Sequence, residues 1–122
     1  MSLRLDHDAH DGIHVLAVSG ELDLSSAPDV RTALALAASG PGGHLILDLS
    51  DVTFIDSTAL GTLLHADDQL AGDGVRMVLV CPPGPVQRLL AMTRLDGRLA
   101  IEPDRASALA RARAGHADAD DG

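Results

Sequence analysis

The chain has no tryptophan, no tyrosine and one phenylalanine, Phe54. A core without rings must be built from Leu, Val, Ile and Ala, and base stacking on aromatic platforms is excluded. Lysine is absent too, which removes the phosphate loop that ends in Gly-Lys-Ser/Thr. The G-x-G-x-x-G, G-x-S-x-G and C-x-x-C patterns are also missing. The lone cysteine, Cys81, sits in an apolar run, so it reads as a small buried hydrophobe without a disulfide partner. No apolar run approaches the ~20 residues of a membrane helix. Residues Met1 to His7 lack the apolar region of a leader. These absences predict a cytoplasmic protein with no membrane partner. Positive charge is scarce: 9 arginines face 18 acidic residues, for a net charge of -9. That balance disfavours nucleic-acid backbones and suits solubility and a basic protein partner.

What is present is a 122-residue chain, 46% hydrophobic, long enough for one domain with one core. Its organising stretch is Leu45 to Leu64. Leu45–Leu49 is a short apolar run, as expected of a strand buried on both faces. Ser50-Asp51 reads as a turn, and Val52, Phe54 and Ile55 form a second short apolar piece. The period then changes, with Leu60, Leu63, Leu64, Leu70 and Ala71 at helical spacing. Asp56 stands at the N-cap of that helix. Ser57 and Thr58 follow as its first residues, with exposed hydroxyls at the positive end, where a phosphate is stabilised. Ala59 and Gly61 are small enough for a partner backbone to come close.

Before this stretch, Leu3–His7 alternates like an edge strand, and Asp11-Gly12 signals a hairpin. Ile13–Ser19 reads as a central strand that Gly20 ends. Ser26-Ala27-Pro28-Asp29 has the capping-box pattern and predicts a helix over Ala27–Ala38, which Gly40-Pro41-Gly42-Gly43 breaks. After it, Gly72-Asp73-Gly74 ends the second helix, and Arg76–Cys81 is another buried strand. Pro85 opens a short third helix with Val86, Leu89 and Leu90 inward. Asp96-Gly97 is a turn, and Leu99–Ile101 a last strand. Pro103-Asp104 caps a fourth helix, Arg105–Ala114, with Ala106, Leu109 and Ala110 inward. Residues 1–114 form the predicted domain, and 115–122 a small, acidic tail expected to be disordered. Strands alternate with helices after the hairpin, so the class is α/β with one mixed, mainly parallel sheet and about four helices.

Catalytic chemistry is not legible. His7, His10 and His14 with Asp8 and Asp11 could attract a transition metal, but solvated residues on an edge hairpin are the better reading. Asp23, Asp48 and Asp56 could gather a magnesium ion at strand ends, yet a helix cap and two solvated carboxylates account for them more simply. His65 reads as an exposed helix residue. Arg88, Arg94 and Arg98 read as a solvated basic face. Asp67 falls on the apolar face of the second helix and needs either a partner or an exit from the core. With no nucleophile–base pair, the expectation is a non-enzyme without cofactor or metal.

Phe54-Ile55-Asp56-Ser57-Thr58-Ala59-Leu60-Gly61 closely resembles the signature of STAS-domain anti-sigma factor antagonists. Gly20-Glu21-Leu22-Asp23 is similar to the family's first loop, and Pro85–Leu95 to its third helix and the following turn. The resemblance spans roughly Leu3 to Ala114. It implies a small mixed sheet with helices largely on one face. It also implies phosphorylation at the serine after the junction aspartate, here Ser57, with Thr58 the neighbouring alternative. Asp23 and Asp56 would border that site, and Asp23, Asp56, Ser57, Thr58, Ala59 and Gly61 would face the partner. That partner would be an anti-sigma factor that is itself a serine kinase. It would be bound by the unphosphorylated protein, so that a sigma factor is freed, and a metal-dependent Ser/Thr phosphatase would reverse the mark. Two positions depart from the pattern: Thr58-Ala59 stands where Ser-Gly is common, and Arg94 where glycine is common. The alternatives are a STAS module of a transport or stress-sensing complex and, in a different class, a small α/β nucleotide-binding protein.

Overall fold

The computed structural model describes residues 3–10, 12–38 and 43–121. Five strands lie in the order β1-β2-β3-β4-β5. β1 (Leu3–His10) and β2 (Ile13–Leu22) form the antiparallel hairpin, whose turn residue Asp11 lies outside the described residues. β3 (His44–Ile55), β4 (Arg76–Val80) and β5 (Ala100–Glu102) then add in parallel. Between them run α1 (Ala27–Ala38), α2 (Ser57–Gly72) and α3 (Pro85–Met92), and α4 (Arg105–Asp121) closes the chain. The break after α1, residues 39–42, lies outside the described residues.

Strand alternation sorts the apolar residues onto two faces. Leu16, Val18, Leu45, Leu47, Leu49 and Leu79 join α1, α2 and α3 in the main core. Ile13, Val15, Ile46, Val78 and Val80 meet Ala108 and Ala112 in a smaller core under α4. The helices thus lie largely on one face, with α4 alone on the other. β3 is buried on both sides, as its apolar run predicts.

Several elements differ from expectation. β3 is one strand and Ser50-Asp51 is no turn. The sheet absorbs the polar pair with a register shift between Ala17/Ser19 of β2 and Asp48/Asp51 of β3. β2 likewise runs past Gly20, whose φ of 104° bends the strand without ending it. The Ser26 hydroxyl does not close a capping box. It accepts from Asp23 N at 2.9 Å and donates to the Glu21 carbonyl at 2.9 Å. In α2, Ala59, Leu60, Leu63, Ala66 and Leu70 are buried, Leu64 is partly buried, and Ala71 is exposed. Asp67 is half-buried at the edge of that face. Burial pushes its carboxyl up, the Asp68 charge adds to this, and Arg98 opposes both.

α4 turns inward a face only partly the predicted one: Leu109 packs against the smaller core as predicted, but Ala108 and Ala112 are the buried residues while Ala106 and Ala110 are exposed. Two ion pairs fix that rotation, Arg105–Asp48 at 2.7 Å and Arg111–Glu102 at 2.9 Å. The helix also passes its predicted end, Ala114, and continues to Asp121. Ala114, Ala117 and Ala119 supply strong helix propensity there. Asp104 starts α4 as predicted, accepting from Ser107 N at 2.7 Å.

Candidate functional site

The end of β3 runs directly into α2, with Asp56 as the hinge between them. Its backbone is extended, at φ -105° and ψ 175°, as an N-cap residue requires. One carboxylate oxygen, Oδ1, accepts from Ala59 N at 2.8 Å and satisfies a first-turn donor. The other, Oδ2, accepts from Leu24 N at 3.1 Å, across 32 residues of sequence. Asp56 N also donates to the Leu22 carbonyl at 3.2 Å. The junction and the loop after β2 are therefore one tied unit.

Within that loop Asp23 organises its own neighbours. Its Oδ1 accepts from Ser25 Oγ at 2.7 Å, Ser25 N at 3.0 Å and Ser26 N at 3.1 Å. The Ser25 hydroxyl foremost, and the Ser25 and Ser26 N–H groups with it, hold the Asp23 carboxyl below the ordinary carboxylate range against the opposing effect of burial. The run Asp23-Leu24-Ser25-Ser26 is an Asx and serine turn in sequence, a legible signal that capping-box reasoning passed over.

Ser57 and Thr58 are exposed at the start of α2. Helix geometry leaves their N–H groups without an intrahelical acceptor. Asp23, Asp56, Ser57, Thr58 and Gly61 thus belong to one surface region around the tied loop and the helix start. A Cβ built on exposed Gly61 meets nothing within 4 Å, so the fold itself does not need glycine there. Ala59 is the correction: its side chain is 1% exposed and packs into the main core. The helical turn that points Ser57 and Thr58 outward points Ala59 inward, so it cannot meet a partner.

Asp48 does not join this group. It is buried on the α4 face, where it accepts from Arg105 and from the Ser50 hydroxyl at 2.5 Å. Burial alone would raise its carboxyl, but Ser50 and Arg105 together hold it below the ordinary range. The expectation of a solvated carboxylate there is overturned, because the sequence does not reveal which arginine lands opposite. No cluster of three metal-ligating side chains occurs among the described residues. His7 and His14 face each other instead, ring nitrogens 3.0 Å apart, on the edge hairpin. Cys81 is buried, and burial pushes its thiol up, away from reactivity. No helix among the described residues is long and apolar enough to cross a membrane.

The arrangement is an exposed hydroxyl at a helix start, beside a carboxylate that caps the helix and ties the loop after β2. Comparison with known proteins gives the family. The model of the STAS domain family matches residues 4–108. An anti-sigma F factor antagonist of Paenibacillus polymyxa is 30% identical over 110 residues, covering 89% of this chain and 94% of its own. An anti-sigma-F factor antagonist of Mycobacterium tuberculosis is 28% identical over 109 residues, covering 89% and 88%. The crystal structure of an anti-sigma factor antagonist from Mycobacterium paratuberculosis matches with a TM-score of 0.83 at 28% identity, over 92% of this chain and 95% of that one. The chain belongs to the STAS domain family, on the branch of the anti-sigma factor antagonists.

Proposed function

We propose that the protein is a phosphorylation-switched antagonist of an anti-sigma factor, with Ser57 as the acceptor. In the unphosphorylated state it binds the anti-sigma factor and so frees a sigma factor. The anti-sigma factor is also the kinase. Ser57 Oγ takes the γ-phosphoryl group of ATP, the hydroxyl proton leaves, and ADP departs. A metal-dependent Ser/Thr phosphatase hydrolyses the ester. The domain spans residues 1–114 and acts in the cytoplasm as a binding module without catalysis of its own.

The observation that carries this reading is the position of Ser57. It is exposed, it opens α2, and it follows an Asp56 whose two oxygens are both engaged. Phosphate brings about -1.5 to -2 charge and three acceptor oxygens. The helix start stabilises it in the free protein, while Asp56, Asp23 and Glu21 make the region acidic. In a complex the phosphate is desolvated beside those carboxylates and against the partner. A loss of about 2.7 kcal/mol, two decades in affinity, opens the switch without any change of fold. Exposed Gly61, on the same helix, leaves room for close approach of a partner backbone.

The test is intact-mass phosphorylation by the cognate anti-sigma factor, with partner affinity measured in parallel. Ser57→Ala should bind the partner and take no phosphate, Ser57→Asp should bind more weakly, and Thr58→Ala should behave like the parent. Phosphate uptake by Ser57→Ala, with its loss in Thr58→Ala, moves the acceptor to Thr58. Equal partner affinity of the parent and its phosphorylated form overturns the switch.

A further inference from the structure

The β1–β2 hairpin brings two histidines into direct contact. Its antiparallel register sets Ala9 opposite His14 and His7 opposite Leu16. His7 and His14 are therefore diagonal neighbours on one face of the sheet, where long side chains can meet. They do meet: His7 Nε2 and His14 Nδ1 are 3.0 Å apart, with ring centres 5.1 Å apart and ring planes 19° from parallel. His7 is exposed and His14 half-buried, so solvent reaches the pair.

A neutral imidazole has one nitrogen that donates and one that accepts. One facing nitrogen supplies a proton to the hydrogen bond, and the other a lone pair. When the donor ring shifts its proton to its far nitrogen, two lone pairs face each other, and one cation satisfies both. The spacing suits such an ion. Two nitrogens at ~2.0–2.1 Å from a metal stand about 2.9 Å apart at a right angle and about 3.3 Å apart at the tetrahedral angle. The observed 3.0 Å is closer to the right-angle spacing, that of neighbouring positions in the square-planar or tetragonal shell of copper(II) and nickel(II). Copper(II) also heads the affinity order of the divalent ions. His7, being exposed, can turn its ring toward an ion lying off the line between the nitrogens.

The surroundings admit a cation. A hollow of about 250 Å³ beside His7 is lined by Leu5, Leu16, Ala33, Leu36 and Ala37, and no cationic side chain lines it. Asp6 and Asp8 flank His7 along β1, and the net charge of -9 adds a field that draws cations. Asp8 is not a third ligand, because strand alternation puts its side chain on the other face, where its Oδ1 accepts from Ala9 N at 2.8 Å. Water completes the shell.

We propose that His7 and His14 form a two-imidazole site for a divalent transition metal, copper(II) foremost. The site uses none of the residues assigned to the Ser57 surface, so it stands independently of the phosphorylation switch.

The probe is copper(II) alone, titrated into the isotope-labelled full chain. The ion is paramagnetic and should first broaden the amide signals of residues 6–9 and 13–16, at less than one ion per chain. Zinc(II) should act on the same residues and bind more weakly. His7→Ala and His14→Ala should each weaken copper binding at least about tenfold. His65→Ala, which removes an exposed histidine of α2, should not. Bound copper should raise the unfolding midpoint of the parent and of His65→Ala, and leave that of His7→Ala where it was. His7 is exposed, so its variant should keep the metal-free midpoint of the parent, and it carries the test even where half-buried His14 does not tolerate replacement. Broadening centred elsewhere, undiminished copper affinity in His7→Ala, or tighter binding of zinc than of copper overturns the proposal.

Discussion

Leu24 N donates to Asp56 Oδ2 at 3.1 Å, and this one bond ties the loop after β2 to the residue that opens α2. The same carboxylate caps the helix through Ala59 N at 2.8 Å. Asp56 is thus shared between two elements, and its loss should be felt in both. Asp56→Ala should destabilise by roughly 1–3 kcal/mol, the sum of a lost cap and a lost part-exposed hydrogen bond. Asp56→Asn keeps an acceptor oxygen and should lose less. Urea midpoints of the two variants check this. An alanine variant as stable as the parent would mean that the bridge contributes nothing.

Arg94 has a φ of 60° and a ψ of 21°, the only left-handed residue other than glycine among those described. It stands where the family pattern commonly has glycine, and the backbone explains why glycine suits the position. An L side chain there costs about 1 kcal/mol or more. Arg94→Gly should therefore stabilise the fold by about 0.5–1 kcal/mol, part of the gain being lost to the freer unfolded chain. A lower urea midpoint for Arg94→Gly would show that the arginine side chain compensates for its own strain.

The departure at Arg94 was legible in the sequence only through the family pattern; its strain needed the backbone. The order of strands and helices was legible because hydrophobic period and punctuation agreed at almost every boundary. α1 follows its predicted Ala27–Ala38 bounds because Pro28 and the apolar spacing point the same way. The junction was legible because Asp56, Ser57 and the change of period fall together. What failed was pairing across long sequence distance. Nothing in Ser50-Asp51 announces a bulge against β2, and nothing in Arg105 announces Asp48, 57 residues away. The inward face of α4 was legible only at Leu109 for the same reason, since ion pairs to β3 and β5 set its rotation and alanine spacing alone is nearly the same all round. Ala59 was misjudged because smallness suits a tight core as well as a close partner.

Asp48 and Asp67 should pull the pH dependence of stability in opposite directions. The folded state holds the Asp48 carboxyl below its ordinary value of 3.8. Its contribution is therefore complete above that value and lost as pH falls through the depressed folded value. Asp67 is raised above 3.8, so its contribution is complete below that value and lost as pH rises through the raised one. Asp48→Asn should flatten the acid limb of a stability curve and cost roughly 1–3 kcal/mol at neutral pH, discounted because Arg105 keeps 41% exposure. Asp67→Asn should instead stabilise at neutral pH and leave the acid limb intact. Denaturant midpoints between about pH 3 and pH 8 separate the two.

Gly61 separates fold from binding. It lies inside α2, exposed, with open space where a Cβ would go. Gly61→Ala should stabilise the protein by up to about 1 kcal/mol through helix propensity alone. Gly61→Gln should fold as well as the alanine variant yet bind the anti-sigma partner more weakly, because the side chain fills the approach. If Gly61→Gln binds the partner like the parent, that face of α2 is not in the contact.

Asp23 directs its carboxylate to Ser25 and Ser26, and so shapes the loop that Asp56 ties beside it. Removing its carboxylate frees the Ser25 hydroxyl and the N–H groups of Ser25 and Ser26, while the Leu24–Asp56 bond can persist. Asp23→Ala should therefore leave the unfolding cooperative and loosen only the loop. If the kinase reads that loop when it takes hold of the protein, the loss appears as a raised KM for Asp23→Ala as a phosphoryl acceptor, with kcat nearly unchanged. Asp23→Asn, which still offers an acceptor oxygen to Ser25, should recover part of the loss. A fall in kcat at unchanged KM would place Asp23 at the transferring phosphoryl group instead. Parent-like kinetics for both variants would leave the residue as local scaffolding for its own turn.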